Sequence, residues 1–493
     1  MPSSDTLIVT LDVGTSSVRA LVYNQAGTAL EGFGEHVPYS FTATSDGGVE
    51  IDPEKLFTLC VQCLSRVHAQ LSVAGRRPAA VGCSAFWHSF FGVDSEGKPS
   101  TPFIHLFDTR SEPQAERLAS MLDARAVHQR TGCRFHASYW PAKLLWLHEN
   151  AAEGCARTKL WLSFGEFLYL RLFGQPGLST SMVSATGIWN LRENRYDSEV
   201  VAALPIRSGQ LVPEDAIDKP AGSLLAHWKA EWPLFDGIRW FPALGDGACN
   251  SVGSGCICPD TFALMVGTSG AMRAVAEAAD VAIPDGLWCY RVDRGRYILG
   301  GALSNGGEVY AWMKRHLALG DEAESEAELM HREPGRHGLT VLPFFAGERS
   351  PWWRADLRAT VTGLNLATTS LDILQASLES VALNFRRILD LLRESVGTPR
   401  RIIASGGALA HSRAWTQMMA DALGSPVLSS CEAEASSRGA ALMALESLGL
   451  LRIEQAPVRT GAVFQPVPER HSAYAAMLEE QSRLMAQLYP PVN

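Results

Sequence analysis

Eight consecutive residues bring together an acid, a glycine, three hydroxyls and an arginine: Asp12, Gly14, Thr15, Ser16, Ser17 and Arg19. Gly14 lets backbone N–H groups come close to a bound group with no Cβ in the way. The hydroxyls add donors, and Arg19 adds a charged fork. That set suits a phosphate. Asp12, just before the turn, is placed to hold a hydrated Mg2+ against such a phosphate. A solvated turn has the same composition, so this stretch alone decides nothing.

A second copy of the pattern shifts the balance. Phe262–Val266 is again an apolar run, it enters Gly267-Thr268-Ser269, and Arg273 follows. Thr15 and Thr268 lie 253 positions apart, about half the chain. Repetition on that scale predicts two related domains facing each other, with the hairpins gripping a nucleotide tail from opposite walls of a cleft. A glycine loop ending in Gly-Lys-Ser/Thr is absent, so the phosphate would be held in another way.

Between the hairpins, Gly245-Asp246-Gly247 sets one acid among small neighbours that would leave room for a substrate hydroxyl. Asp246 is the candidate to take the proton of an attacking hydroxyl, although a turn aspartate looks the same. Trp87-His88 offers an apolar wall beside a polar hand for a sugar chain, and a buried structural histidine is the alternative. Asp108 and Arg110 alternate at an expected strand end; they reach one cleft only if the backbone bends, and otherwise form a surface ion pair. Gly406-Gly407-Ala408 falls between a strand and a helix, where a base or phosphate can approach backbone.

The elements that must position these residues read as α/β. Each hairpin is two apolar, β-branched runs around a Gly-centred turn. Ala26-Gly27 turns into a further strand pair. Asp52-Pro53-Glu54 is a helix start, with Asp at the cap and Pro at the first helical position. Ala79–Phe86 reads as a buried strand and Gly92–Pro99 as a turn. Helices are expected from Glu112 to Leu122, Leu371 to Glu394, Ser412 to Leu423 and Glu469 to Leu488, with an exposed Glu-rich stretch at Glu322–Glu333. A helix-rich middle spans roughly 140–240 and is broken late by Pro205, Pro213 and Pro220. A buried strand is expected at Arg400–Ala408.

Bulk composition narrows the class. The chain has 493 residues, 46% hydrophobic and 19% charged, enough for two or three domains with large cores. A net charge of −9 argues against nucleic acid or an anionic membrane as the main partner. No apolar run reaches transmembrane length. Met1-Pro2-Ser3-Ser4-Asp5 lacks the basic start of a signal peptide, and a cytoplasmic address is expected. The ten cysteines are scattered without zinc-ligand spacing and read as buried free thiols.

These residues resemble the FGGY family of carbohydrate kinases over nearly the whole chain. Asp12–Arg19 is similar to the family's first phosphate motif, Gly267–Gly270 to its second, and Gly245-Asp246-Gly247 to its catalytic aspartate segment. Gly406-Gly407-Ala408 with Trp415, Asp421, Gly424 and Pro426 resembles its adenosine motif. Ala359–Leu364 with Asp372-Ile373 and Ala376–Glu379 resembles its second signature at every constrained position. Lys143–Leu147 fits the first signature, but Trp140 stands where a small residue or proline is usual. The resemblance implies two actin-like (ribonuclease H-like) domains flanking a deep catalytic cleft. Residues 1–243 would form the sugar side and 244–493 the ATP side. It implies ATP and Mg2+, with Asp12 and Asp246 at the metal and Asp246 as general base. It places Gly14, Thr15, Ser16, Arg19, Gly267, Thr268, Ser269, Gly307, Gly406, Gly407 and Ala408 on the nucleotide, and Trp87, His88, Asp108, Arg110 and Asp246 on the sugar.

Within the family, Trp87–Asp94, Ser181–Leu191, Ser304–Gly307 and Ala346–Pro351 are most similar to gluconate kinases. Trp87 replaces a small residue or methionine, and Leu106-Phe107-Asp108 replaces a Trp-Ala-Asp; both positions are expected to face the sugar. D-gluconate phosphorylated to 6-phosphogluconate is the expected reaction, with Arg110 as the cation for its carboxylate. A kinase for another open-chain or keto sugar such as xylulose, or a non-catalytic sugar- or nucleotide-binding protein, stays open. A homodimer is allowed by the sequence, which does not fix the oligomeric state.

Overall fold

The computed structural model describes residues 6–277 and 281–490. The Met1–Asp5 start read for a signal peptide lies outside the described residues.

Two mixed sheets repeat one plan. In the first, the strand Ile8–Val13 pairs antiparallel with Ser17–Tyr23, which pairs antiparallel with Ala29–Pro38. On its other edge Ile8–Val13 pairs parallel with Ala80–Ala85, which pairs parallel with Arg239–Trp240 and Leu244–Gly245. In the second, Thr261–Val266 pairs antiparallel with Gly270–Ala276 and parallel with Arg401–Ser405. Tyr297–Leu303 extends the antiparallel side and Val427–Ser430 the parallel side. An antiparallel set, three strands in the first sheet and four in the second where Trp288–Arg291 adds to the edge, followed by parallel strands, gives two actin-like domains of α/β class. Ile8–Val13 and Ala80–Ala85 are buried at every position, as strands covered on both faces must be.

Helix starts follow local chemistry. Asp52 accepts from the Glu54 N–H, and Pro53 opens the helix Pro53–Val73. Thr369 and Asp372 form a reciprocal cap on Ser370–Val396. Ser412 caps Arg413–Leu423, and Pro468 opens Pro468–Leu488. Glu322–His331 is helical, with Ser325 and Leu329 buried inside an otherwise exposed or half-buried stretch. Two expectations shift. Gly92 and Val93 belong to a short strand, Phe91–Val93, paired with Leu160–Leu162, so the turn begins at Asp94. Asp108–Arg110 lies in an irregular connection that enters a turn at Arg110, rather than at a strand end. All ten cysteines are free and eight are buried, but Cys258 is half-buried and Cys431 exposed.

The two domains meet where the helix Asp246–Gly253 crosses Ala435–Ser447. A Cβ on Gly253 would strike the Ala435 carbonyl oxygen at 1.8 Å, and one on Gly439 the Cys249 oxygen at 1.9 Å. Only glycine lets the two backbones approach this closely. Above the crossing, the Thr10 and Ser437 hydroxyls hydrogen-bond at 2.6 Å. The first hairpin, the Asp246 helix and the second domain are thereby fixed to one another.

Candidate active site

The site is assembled from strand ends. In the first hairpin Asp12 stands opposite Arg19, and the tip closes by Gly14 N–H donating to the Ser17 carbonyl at 3.0 Å. Thr15 and Ser16 are exposed at that tip. Arg19 is not a free cation: it pairs with Glu434 at 2.9 Å and with Asp12 at 3.6 Å. Asp12 is 2% exposed and its Oδ1 has no hydrogen-bond partner. Burial pushes its carboxyl up to about 7; the nearby Ser84 hydroxyl and Arg19 oppose this, while Asp246 and Glu434 add to it. A buried, unpartnered carboxylate oxygen near two further acids is a place where a cation would relieve repulsion. Among the described residues no group of three or more His, Cys, Asp or Glu could hold a metal ion. Mg2+ needs no such cage, since one or two carboxylates, waters and substrate phosphates complete its shell. The donor set fits a hydrated Mg2+ held by Asp12, with Asp246 near it.

The nucleotide-side candidates of the second domain converge. Gly267 N–H closes its hairpin on the Ser269 carbonyl at 2.9 Å. Gly307 N–H donates to Gly267 O at 2.8 Å, and Glu308 N–H to Thr268 O at 3.0 Å. Gly406 has φ +95, a conformation glycine adopts freely, and a Cβ there would meet Val266 O at 2.3 Å. A Cβ on Gly307 would sit 3.0 Å from the Ala408 Cβ. Gly267, Thr268, Ser269, Gly307, Gly406, Gly407 and Ala408 thus form one small-residue floor.

Asp246 is the first residue of its helix, follows the strand Leu244–Gly245, and accepts the Gly247 N–H at 2.7 Å. Burial pushes its carboxyl up, and Arg273 pulls it down. Its glycine neighbours serve a different end from the room for a hydroxyl expected of them. A Cβ on Gly245 would lie 1.8 Å from the Trp87 ring, and one on Gly247 2.5 Å from it. The indole occupies the space the glycines leave.

Asp246 faces a cavity of about 170 Å³ whose walls include Thr15, Trp87, His88, Tyr139, Ser269, Arg273, Tyr290 and Arg349. Trp87 donates from Nε1 to Ser181 O at 3.0 Å and packs edge-on to Tyr290. His88 shares a hydrogen bond from Nδ1 with Ala185 O at 2.8 Å. Burial, and then the Lys143 cation, push His88 down to about 3, so it is neutral at pH 7. The Tyr139 and Tyr290 hydroxyls bond each other at 2.7 Å.

Asp108 and Arg110 are not among the cavity's lining residues. Arg110 grips Asp108 and Glu50, each at 2.6 Å, and lies over the Trp146 ring. The cations in the cavity are Arg273 and Arg349. Nε and Nη1 of Arg273 are buried without hydrogen-bond partners, and Asp246 is the acid that acts on it most strongly. Arg349 lies by Glu348, Tyr139 and Tyr290, with its guanidinium 6.0 Å from the Phe107 ring centre. Neither arginine was singled out as a site residue from sequence, although Arg273 follows the second hairpin as Arg19 follows the first.

Residues 7–253 match the FGGY family of carbohydrate kinases, N-terminal domain, and residues 262–448 match its C-terminal domain. The chain belongs to this family. It is 27% identical to a gluconokinase of Bacillus subtilis (strain 168) over 482 residues, covering 94% of this chain and 92% of that one. It is 24% identical to a xylulose kinase of Staphylococcus xylosus over 446 residues, covering 89% and 90%. Among solved structures it resembles a gluconate kinase from Lactobacillus acidophilus, with TM-score 0.90, 26% identity and 98% of each chain covered. A ligand-bound xylulose kinase from the same organism gives TM-score 0.89 at 25% identity, again over 98% of each chain. As a member of this family the protein is a carbohydrate kinase. No helix among the described residues is long and apolar enough to cross a membrane.

Proposed function

We propose that the protein transfers the γ-phosphoryl group of ATP to the terminal hydroxyl of a sugar acid, D-gluconate, giving 6-phospho-D-gluconate. One observation carries the reading: Asp246 shares its cavity with residues of both hairpin tips, Thr15 and Ser269, and with two guanidiniums. Asp246 takes the proton of the attacking hydroxyl. The hydroxyl oxygen bonds to the γ-phosphorus, the bond to the β-phosphate oxygen breaks, and ADP leaves. Thr15 and Thr268 contact the phosphates from opposite domains, over the floor of small residues from Gly267 to Ala408. Asp12 and Asp246 would hold Mg2+, which when bound would neutralise phosphate charge. The reaction takes place in the cytoplasm.

Two cations in the pocket argue for an anionic sugar. Arg349 is the anchor we assign to the carboxylate, since Arg273 already answers to Asp246. This replaces Arg110, whose guanidinium is already committed to Asp108 and Glu50. Trp87 packs on the carbon chain, and neutral His88 hydrogen-bonds hydroxyls.

The second reading, a xylulose kinase, is favoured by the near-equal likeness to the xylulose kinase structure. A sugar panel with coupled ADP release separates the two. Gluconate is expected to give the highest kcat/KM. Arg349→Met is expected to raise the gluconate KM by about 10–100-fold, the worth of a charge-assisted hydrogen bond, with the ATP KM within about twofold. A wild-type preference for xylulose, or an unchanged gluconate KM in the variant, overturns the sugar-acid reading. No turnover of any sugar in a single-turnover assay overturns the enzyme reading as a whole.

A further inference from the structure

The segment Trp87–Ser89, which walls the sugar side of the cavity, is held in an unfavourable shape. His88 has φ +66, a left-handed conformation that is unfavourable for a non-glycine residue and persists where its surroundings enforce it. The enforcing element is the helix Trp140–Asn150. Lys143 on that helix is fully buried, and its Nζ donates to the His88 carbonyl. One turn earlier, Trp140 donates from Nε1 to the Ser89 carbonyl at 3.0 Å. Two side chains of one helix thus clamp two successive carbonyls of the strained segment. This also gives a purpose to the bulky Trp140, the residue at odds with the family's first signature.

We propose that Lys143 is a positioning residue for the sugar: by holding the His88 carbonyl it fixes the orientation of Trp87 and His88 in the cavity wall, with Trp140 as its partner in the clamp. A buried ammonium with a carbonyl as its hydrogen-bond partner is costly, and a site that needs a rigid wall is a reason to retain one. The groups facing it are His88, His105, His136 and Asp108. Burial pushes the three histidines down to about 3–4, so none of them titrates near neutrality. Asp108 is held by Arg110. Burial lowers Lys143 itself to about 7, which Asp108 opposes, so its charge is lost as pH rises through that value. The inference rests on the sugar-kinase reading but not on which sugar is used.

The test is Lys143→Met, which keeps length and removes the donor, beside Trp140→Phe, which keeps packing and removes the second donor. The better of D-gluconate and D-xylulose serves as probe, and calorimetry of sugar binding runs in parallel with kinetics. Lys143→Met is expected to raise the sugar KM and Kd by about tenfold or more while the ATP KM stays within about twofold. Trp140→Phe should shift the sugar KM in the same direction by a smaller factor. In the wild type the sugar KM should rise as pH increases through 7, and Lys143→Met should abolish that rise. A folded Lys143→Met protein with wild-type sugar affinity overturns the proposal, as does an equal loss toward ATP and sugar. If Lys143→Met does not fold, a sugar KM unmoved in Trp140→Phe and flat across pH 6–8 in wild type overturns it. Failure of the wild type to turn over any sugar falls on the functional reading instead.

Discussion

The two hairpins share a strand–turn–strand plan and differ in the turn and in charge. Where the first carries Asp12 two residues before its glycine, the second carries Met265. Arg19 stands opposite Asp12 in the ladder, whereas Arg273 stands opposite Ala263. Arg19 is therefore neutralised within its own hairpin and by Glu434. Arg273 has no acid on its hairpin, and the carboxylate it answers to is Asp246. In the function proposed above both tips face phosphate groups, while the strand behind each is put to a different use. The first presents an acid fit for a metal, and the second presents a cation to the base and the substrate.

The hardest test of that division is Asp246 itself. If Arg273 keeps Asp246 charged for proton abstraction, Asp246→Asn should lower kcat by about 10²–10⁴, with ATP binding by calorimetry retained. Near-normal turnover in the folded variant would leave the second hairpin's cation with nothing to serve.

Next in size is the exchange of the two arginines for glutamine. Arg273→Gln removes the charge that pulls the Asp246 carboxyl down, so the acidic limb of the kcat profile should move to higher pH, with kcat reduced. Arg19→Gln should weaken ATP binding and leave the limb where it is. Equal limb shifts in both variants would erase the distinction.

The shared part of the hairpins is probed by Thr268→Val. Loss of one hydroxyl contact should weaken ATP about tenfold, with sugar affinity unchanged. Unaltered ATP affinity by calorimetry would break the idea of a grip from both walls.

Local features were legible in sequence because local chemistry causes them. The turns at Gly14 and Gly267, the Asp52 cap, the helix start at Ser412 and the alternation of strands and helices all depend on residues within a few positions of each other. Family motifs mark Asp12, Asp246 and Gly406-Gly407-Ala408, and of these Asp246 lines the cavity. The site was not legible where distant segments decide. Arg349, Tyr139 and Tyr290 come together only in the folded chain, across some 200 positions. The family resemblance puts Asp108 and Arg110 on the sugar, while the residues alone leave an ion pair open. The Arg110 Nε reaches back to the Asp108 carboxylate at 3.1 Å, and the pair closes on itself. Gly245 and Gly247 read as space for substrate, since nothing in the local sequence shows that the Trp87 ring will fill it.

The smallest expected effect bears on stability and separates Asp12 from Met265. Burial pushes the Asp12 carboxyl up to about 7 from an ordinary 3.8. Between those values the folded metal-free chain binds more protons than the unfolded one, so this residue's contribution to stability falls as pH rises across the window. Asp12→Asn removes that contribution. In the presence of a chelator the variant should melt about 2–4 °C above wild type at pH 8, and the gap should close near pH 4. Added MgCl2 should raise the wild-type Tm at pH 8 and leave the variant's nearly unchanged, because a ligand that binds only the folded state stabilises it in proportion to its affinity. Met265→Leu, at the matching place in the other hairpin, should show neither the pH-dependent gap nor a change in the metal response. Parallel melting curves for wild type and Asp12→Asn across pH 4–8 would mean that Asp12 is not the strained acid of the first hairpin, and the contrast between the two hairpins would then rest on Arg273 alone.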